Sequence, residues 1–324
     1  MSKKTVDLSQ PAAQRDISQF LAAGNAEGGK PLEALKVKDA RKVMEKLQSS
    51  VDVPLREVEI SEKTIHVEGQ DILLQLVRPA RAKEKLPVFM FFHGGGWVLG
   101  DFPTHERLVR DLVHSAGAAA VFVNYPRSPE VHYPVAINLA YAATEWVAEY
   151  GEKINVDGTR LAVVGNSAGG NIAAVVSLMA KEKGTPALRC QILLWPVTHA
   201  NFDTDSYHQF AEGHFLTRNM MKWFWDNYAP DKGQRKEIYA SPLNATPEQL
   251  QGLPPALVQT AELDVLRDEG EAYARLLDAA GVEVTSTRYN GLIHDYGLLN
   301  QLAHVPAVHS AIHQAGRALK HYLA

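Results

Sequence analysis

One serine lies in a sequence context that suits nucleophilic chemistry. The stretch Gly165-Asn-Ser-Ala-Gly169 fits the pattern G-x-S-x-G. Apolar, β-prone residues precede it and a small-residue apolar run follows it, which predicts a strand, a sharp turn and a helix. At such a turn the serine hydroxyl projects above the sheet, and the two glycines let strand and helix approach closely. Ser167 is therefore the candidate nucleophile, although the pattern by itself also occurs in purely structural turns.

A serine nucleophile needs a base that accepts its proton and a carboxylate that orients this base. In one known arrangement the chain order is serine, acid, histidine, with the acid and the base each just past a late strand. Asp264 follows the strand-like run that contains Leu257, and His294 follows the run that ends at Ile293. We predict that His294 is the base and that Asp264 orients it.

Other residues of the same types compete for these roles. The chain has 13 histidines, and position separates His294 from the others, which fall mainly in the C-terminal helical region or in an aromatic-rich insertion. Asp268 and Asp295 are rival acids. Asp268 is interpreted as a helix N-cap or first-turn charge, and Asp295 adjoins the base itself.

A glycine-rich loop follows the apolar run Leu86–Phe92 and reads His93-Gly-Gly-Gly-Trp97. Backbone without side chains can turn its N–H groups toward a substrate oxygen, so the loop suits an oxyanion hole. We predict that the donors are Gly94, Gly95 and Ala168. A phosphate-binding loop is the competing interpretation, but neither of the usual glycine patterns for phosphate is present at a strand–helix junction.

Strand-like and helix-like patterns alternate along most of the chain. Period-two stretches from about Val58 predict antiparallel strands at the start of a sheet, and Leu86–Phe92 is typical of a central strand covered on both faces. The alternation predicts an α/β fold with a mostly parallel sheet of about eight strands, flanked by helices.

Two segments depart from this alternation. Residues 1–50 carry two helical patterns, the first opened by Ser9 and Pro11 and the second by Pro31. Residues 199–243 form an insertion rich in aromatic residues. We expect both segments to build a helical cap over the carboxyl edge of the sheet, where ligands of α/β proteins bind, and residues 51–198 and 244–324 to form the core.

Composition limits the class of protein and its partners. The 324 residues carry a formal net charge of −4, with a pI near 6.4, which gives no electrostatic reason to bind nucleic acid. The charged N-terminus has no apolar run behind it, so a cytoplasmic location is expected, and polar residues interrupt the uncharged window 161–180, so no stable membrane anchoring is expected. Cys190 is expected to be a small buried residue. No His/Cys cluster has zinc-site spacing, and no metal is predicted.

Taken together, the motifs resemble the hormone-sensitive-lipase-like branch of the α/β hydrolases, the bacterial family IV esterases. The resemblance spans roughly residues 55–324 and rests on the glycine loop after His93, the serine motif, Asp264-Val-Leu-Arg-Asp-Glu-Gly270 and His294-Asp-Tyr-Gly297. It implies an α/β-hydrolase fold and hydrolysis of short-chain carboxylic esters without a cofactor, under a cap formed partly by the N-terminus. The sequence does not decide the oligomeric state, and a homodimer is one of the states compatible with it.

The sequence also departs from the family pattern. The family commonly has Gly-Asp-Ser-Ala-Gly where this chain has Asn166, and His-Gly-Phe where it has His294-Asp-Tyr. We predict that Asn166 and Trp97 contact the substrate and that Trp97 shortens the acyl pocket, which favours short to medium acyl chains. In the alternative interpretation, the aromatic residues are only the core of the cap. A non-catalytic small-molecule receptor, an amidase and an acyltransferase remain alternative functions on the same residues.

Overall fold

The computed structural model describes residues 11–324, apart from the side chain of Glu27. Within these residues one sheet has eight strands in the order β1-β2-β4-β3-β5-β6-β7-β8. The strands are β1 Val58–Val67, β2 Gln70–Pro79, β3 Leu86–Phe92, β4 Ala119–Val123, β5 Val156–Asn166, β6 Gln191–Leu194, β7 Ala256–Leu263 and β8 Val284–Ile293. The helices are α1 Arg15–Glu27, α2 Val37–Ser49, α3 Phe102–Ala116, α4 Val135–Tyr150, α5 Ala168–Lys183, α6 Asp205–Gln209, α7 Arg218–Tyr228, α8 Pro247–Leu250, α9 Arg267–Ala279 and α10 Pro306–Tyr322.

The sheet is antiparallel at one side and parallel over the rest. β2 pairs antiparallel with β1 and β4, and every pairing from β4 through β3, β5, β6 and β7 to β8 is parallel. The central strand β3 is buried along its length except for the half-buried Pro87, because helices cover both faces of a parallel sheet. The predicted fold class is confirmed.

The parallel strands place the sequence motifs at one edge of the sheet. β3 ends immediately before His93, β5 before Ser167, β7 before Asp264 and β8 before His294. Since the carboxyl ends of parallel strands lie on the same side, the loops that follow them converge there. Four segments that are far apart in sequence therefore meet above the sheet.

The N-terminal segment is helical but begins differently from the prediction. Ser9 lies outside the described residues, and α1 begins only at Arg15 because the preceding chain is bound to the end of β8: the Gln14 N–H donates to the Gly291 carbonyl at 3.0 Å. The second helical pattern is divided into a 3₁₀ turn over Leu32–Ala34 and helix α2. Within residues 11–324 no helix has the length and apolarity needed to cross a bilayer.

Candidate active site

Ser167 occupies a strained turn between β5 and α5. Its φ is 54° and its ψ is −121°, a conformation that costs a non-glycine residue about 1–3 kcal/mol. Only glycine fits on either side: a Cβ on Gly165 would lie 2.0 Å from the Gly169 carbonyl oxygen, and one on Gly169 would lie 1.9 Å from the Phe92 carbonyl oxygen. The turn holds the serine hydroxyl in the pocket above the sheet.

The structure brings Ser167, His294 and Asp264 into one chain of hydrogen bonds. The Ser167 Oγ lies 2.9 Å from His294 Nε2, and His294 Nδ1 lies 2.7 Å from Asp264 Oδ2. The second carboxylate oxygen of Asp264 accepts the Leu266 N–H at 3.0 Å. With neutral histidine, Nδ1–H donates to the carboxylate and the serine hydroxyl donates to Nε2, which is the order that general-base activation of serine requires.

The electrostatic surroundings of His294 raise its pKa. Burial lowers the pKa of His294, but the negative charges of Asp264 and Asp295 and the hydrogen bond to Asp264 outweigh burial and raise it above its usual value. Asp295 Oδ1 lies 3.9 Å from His294 Nε2. These two carboxylates would stabilise the imidazolium that forms when the histidine accepts a proton.

The glycine loop presents unpaired N–H groups beside Ser167. Gly95 and Gly96 have φ angles of 99° and 60°, and both line the same pocket as Ser167. Among residues 11–324, no acceptor is bonded to either N–H group. Ala168 is the first residue of α5, so its N–H has no acceptor within the helix. Free N–H groups beside a serine hydroxyl are the donors that an oxyanion hole requires.

Gly94 does not have the free N–H group that we predicted. Its N–H donates to Asn166 Oδ1 at 3.0 Å, with His105 Nε2 at 3.2 Å as a second acceptor. A donor that is already bonded inside the protein is not free for a substrate oxygen, so the expected role of Gly94 is corrected. Gly96, the third glycine of the motif, takes its place in the geometry.

The structure also corrects the two predicted substrate contacts. Asn166 is fully buried, and its amide joins Gly94 to Asp295 rather than facing the pocket. Trp97 is fully buried as well and stacks on Tyr228 in α7, with ring centroids 4.1 Å apart. The predicted substrate contact of Trp97 is therefore wrong, because its ring packs against α7 in the protein interior.

A pocket of about 320 Å³ lies directly above Ser167. Side chains from the 3₁₀ turn Leu32–Ala34, from α2, from α7 and the segment before it, and from the loop after His294 line its wall. Its apolar wall includes Leu32, Met44, Leu47, Leu99, Phe215, Leu216, Met220, Phe224, Leu298 and Leu299. Phe224 packs so closely on the glycine loop that a Cβ on Gly96 would lie 2.1 Å from its ring. The site can therefore hold an apolar substrate against the serine and the free N–H groups.

Sequence reasoning missed three residues of this site. Gly96 is in the predicted loop but was not chosen as a donor, Asp295 was set aside because it adjoins the base, and Phe224 was one of many aromatic residues in the insertion. The glycine run and the departure at His294-Asp-Tyr were visible in the sequence, whereas nothing there distinguished Phe224 from its neighbours. In residues 11–324 no group of three or more His, Cys, Asp or Glu side chains could hold a metal ion.

Comparison with known proteins agrees with this fold. Residues 89–298 match the model of a family described as having an alpha/beta hydrolase fold, and the chain belongs to this α/β-hydrolase family. It is similar to the crystal structure of a thermostable esterase from Pseudomonas putida, with 67% identity and a TM-score of 0.96 over 97% of this chain and 99% of that one.

Two curated relatives are more distant. The chain is 37% identical to carboxylesterase NlhH of Mycobacterium tuberculosis, over 83% of this chain and 84% of that protein. It is 32% identical to ethyl acetate hydrolase of Pseudomonas putida, over 86% of this chain and 89% of that protein. The predicted resemblance to the hormone-sensitive-lipase-like esterases is confirmed.

Proposed function

We propose that Ser167, His294 and Asp264 hydrolyse carboxylic esters through an acyl-enzyme intermediate. The chain is a carboxylic ester hydrolase, in agreement with its similarity to carboxylesterases and esterases. The observation that carries the assignment of residues is the continuous hydrogen-bond chain from Asp264 through His294 to Ser167 at the base of an apolar pocket.

In the acylation step His294 Nε2 accepts the hydroxyl proton as Ser167 Oγ attacks the ester carbonyl carbon. The carbonyl π electrons move to the oxygen, which accepts hydrogen bonds from the N–H groups of Gly95, Gly96 and Ala168. When this intermediate collapses, the bond to the alcohol oxygen breaks and His294 returns the proton to the leaving alcohol. Asp264 keeps the imidazole in the required tautomer throughout.

Deacylation repeats these steps with water. His294 accepts a proton from the water molecule, whose oxygen attacks the acyl carbon on Ser167, and the same three N–H groups stabilise the second oxyanion. Collapse releases the carboxylic acid, and His294 returns the proton to Ser167 Oγ. The two steps consume one water and produce one acid and one alcohol.

We propose acyl chains of roughly two to eight carbons as the preferred substrates. The support is the apolar wall that Met44, Met220 and their neighbours form close to Ser167, together with the pocket volume of about 320 Å³. Each methylene that the pocket accepts contributes up to about 0.8 kcal/mol. The rate constant kcat/KM is expected to rise with chain length until the chain meets the wall and then to fall.

Matched substitutions test the assignment of residues. Ser167→Ala, His294→Ala and the double variant should each lose nearly all hydrolysis of p-nitrophenyl esters, because members of a triad act as a unit. Asp264→Asn should lower kcat by a factor on the order of 10⁴, as in serine proteases, whereas Asp268→Asn should do far less. Parallel assays of matched anilides and of acyl transfer to added alcohols compare ester hydrolysis with the alternatives. Full activity of Ser167→Ala would overturn the proposal.

Four further statements, on the domains, the cellular location, the oligomeric state and nucleic acid, are proposals of the same kind. Residues 1–50 and 199–243 are proposed as the cap, and 51–198 with 244–324 as the core, because side chains of both cap segments line the pocket above the sheet. A cytoplasmic location is to be checked by cell fractionation, and a homodimer by light scattering. Binding of nucleic acid is not expected for a chain of net charge −4, and a gel-shift assay tests this.

A further inference from the structure

Three backbone carbonyl groups, at the end of the glycine loop and just after it, accept hydrogen bonds from other segments. The Trp97 carbonyl accepts the Ser128 N–H at 2.8 Å, the Val98 carbonyl accepts Arg41 Nε at 2.8 Å, and the Gly100 carbonyl accepts Arg127 Nη1 at 2.7 Å. Arg41 differs from the other two donors because it lies on α2, outside the sheet and its loops. A residue of the N-terminal segment is thus bonded directly to the loop that carries the free N–H groups.

Arg41 is held in a single position by its own partners. Beside the bond to Val98, its Nη2 donates to the Ser128 carbonyl at 3.1 Å, and both terminal nitrogens donate to the carboxylate of Glu130 at 2.6 and 2.7 Å. The hydrogen bond from Arg41 lowers the pKa of Glu130 to about 2. A planar guanidinium that satisfies a bidentate carboxylate and two carbonyls at once is a rigid link between α2 and the loop.

The loop needs such a link because its conformation is strained. Gly95, Gly96 and Trp97 follow one another with positive φ angles, and Trp97 has a side chain that disfavours this region. Strained backbone persists only where its surroundings determine it. The bond to Val98 lies two residues after Gly96, so it constrains the peptide planes whose N–H groups face the pocket.

The same helix is also bound to the loop that carries the histidine. Gln48, near the end of α2, donates to the Leu298 carbonyl at 3.0 Å and to the Thr104 carbonyl at 2.6 Å. Between Arg41 and Gln48, the side chains of Met44 and Leu47 line the substrate pocket. One helix therefore connects the pocket wall with the glycine loop and with the loop after His294.

We propose that Arg41 is a positioning residue that holds the N–H groups of Gly95 and Gly96 in the geometry required for the oxyanion. This inference rests on the proposed ester hydrolysis and adds a residue of the N-terminal segment to it. Arg41 acts through the backbone at Val98 and Ser128 and does not touch the substrate. Its contribution appears in the transition state, where the oxyanion needs these donors most.

Steady-state kinetics of three variants test the proposal on p-nitrophenyl acetate and butyrate. Arg41→Met should lower kcat by about 10- to 30-fold and change KM by less than about threefold, because the lost interaction acts mainly in the transition state. Arg41→Lys should recover part of kcat, since one ammonium can reach a carbonyl but cannot replace the fork. The exposed neighbour Lys42→Met, on the same helix, is the matched control and should behave as the unsubstituted protein does.

A second measurement separates positioning from loss of structure. A trifluoromethyl ketone adds to Ser167 to form a stable oxyanion. Its inhibition constant should therefore rise in Arg41→Met by about the same factor as kcat falls. Thermal unfolding shows whether the variant is folded at the assay temperature. If folded Arg41→Met kept full kcat, or if only KM rose, Arg41 would support only the pocket wall that other side chains of α2 form, and the proposal would be overturned. Failure of the proposed function would instead appear as activity in Ser167→Ala.

Discussion

Asn166 donates a hydrogen bond from Nδ2 to Asp295 Oδ1 at 3.3 Å. The same carboxylate oxygen accepts Trp195 Nε1 at 2.8 Å, and Asn166 accepts the Gly94 N–H through its other amide atom. Both residues are departures from the usual family motifs, and they are 129 positions apart in sequence. The two departures compensate each other, because an amide can donate to Asp295, whereas an aspartate at position 166 would place a second carboxylate against it.

The hydrogen bond between Asn166 and Asp295 predicts that substitutions at these two positions have non-additive effects. Asn166→Asp alone should lower the free energy of unfolding and kcat, since two buried carboxylates would repel each other. Asp295→Gly removes the second charge and suits the φ of 58° at this position, so the double variant should recover much of the loss. Urea unfolding of the four proteins should give a coupling energy of about 1–2 kcal/mol. Additive effects would show that the two departures are independent.

The pH profile of kcat/KM should depend on Asp295. Hydrolysis needs neutral His294, so activity falls as the pH drops through the pKa of this histidine. Asp264 and Asp295 both raise that pKa against the effect of burial. Asp295→Asn should therefore lower the pKa and move the acid limb of the profile to lower pH. Asp278→Asn, an exposed carboxylate on α9, is the control and should leave the limb in place. If the acid limb of the Asp295→Asn profile stayed in place or moved to higher pH, the prediction would be contradicted.

Trp97 and Met220 should respond differently to truncation. Trp97→Ala removes a buried ring that stacks on Tyr228, so it should destabilise the protein by about 3–5 kcal/mol without changing the preferred acyl chain length. Met220→Ala removes part of the pocket wall and so enlarges the pocket, which should move the optimum of kcat/KM to longer acyl chains. The measurement is kcat/KM over p-nitrophenyl esters from C2 to C16, with thermal unfolding of each variant. A longer optimum in Trp97→Ala would restore the original prediction for that residue.

The loss of stability as the pH rises to about 8 should depend on Glu269. This buried carboxyl accepts the N–H groups of Thr198 and His199, and burial raises its pKa to about 8. At pH values between the pKa of this carboxyl in the unfolded chain and about 8, Glu269 is protonated in the folded protein and ionised in the unfolded chain. The free energy of unfolding therefore falls as the pH rises through this range, by up to about 1.4 kcal/mol per pH unit. Below the pKa of Glu269 in the unfolded chain, the full contribution of this carboxyl to the free energy of unfolding is present.

Glu269→Gln removes this titration and keeps an oxygen for both N–H groups. Urea unfolding from pH 5 to 9 should therefore show a smaller loss of stability in the variant than in the unsubstituted protein. Glu248→Gln, which changes an exposed carboxyl on α8, is the control. Parallel curves for Glu269→Gln and the unsubstituted protein would mean that Glu269 does not hold a proton in the folded state.

Local sequence determined the sheet, the turn at Ser167 and the positions of Asp264 and His294. The alternation of strand and helix periods defines a parallel α/β sheet, and parallel strands bring the loops after their carboxyl ends to one edge. Glycines at 165 and 169 are required by contacts of the turn itself. Chain order and strand ends were therefore enough to identify three residues that the structure joins by hydrogen bonds.

Only the tertiary structure decided which donors and which side chains face the pocket. The Gly94 N–H is bonded to Asn166, 72 positions away, and Arg41 is bonded to Val98, 57 positions away. The Trp97 ring stacks on Tyr228 of α7, whereas Phe224 and Met220 of the same helix line the pocket. A residue type and its local pattern limit backbone conformation, but the partner of a polar group or a ring depends on segments that meet only when the chain is folded.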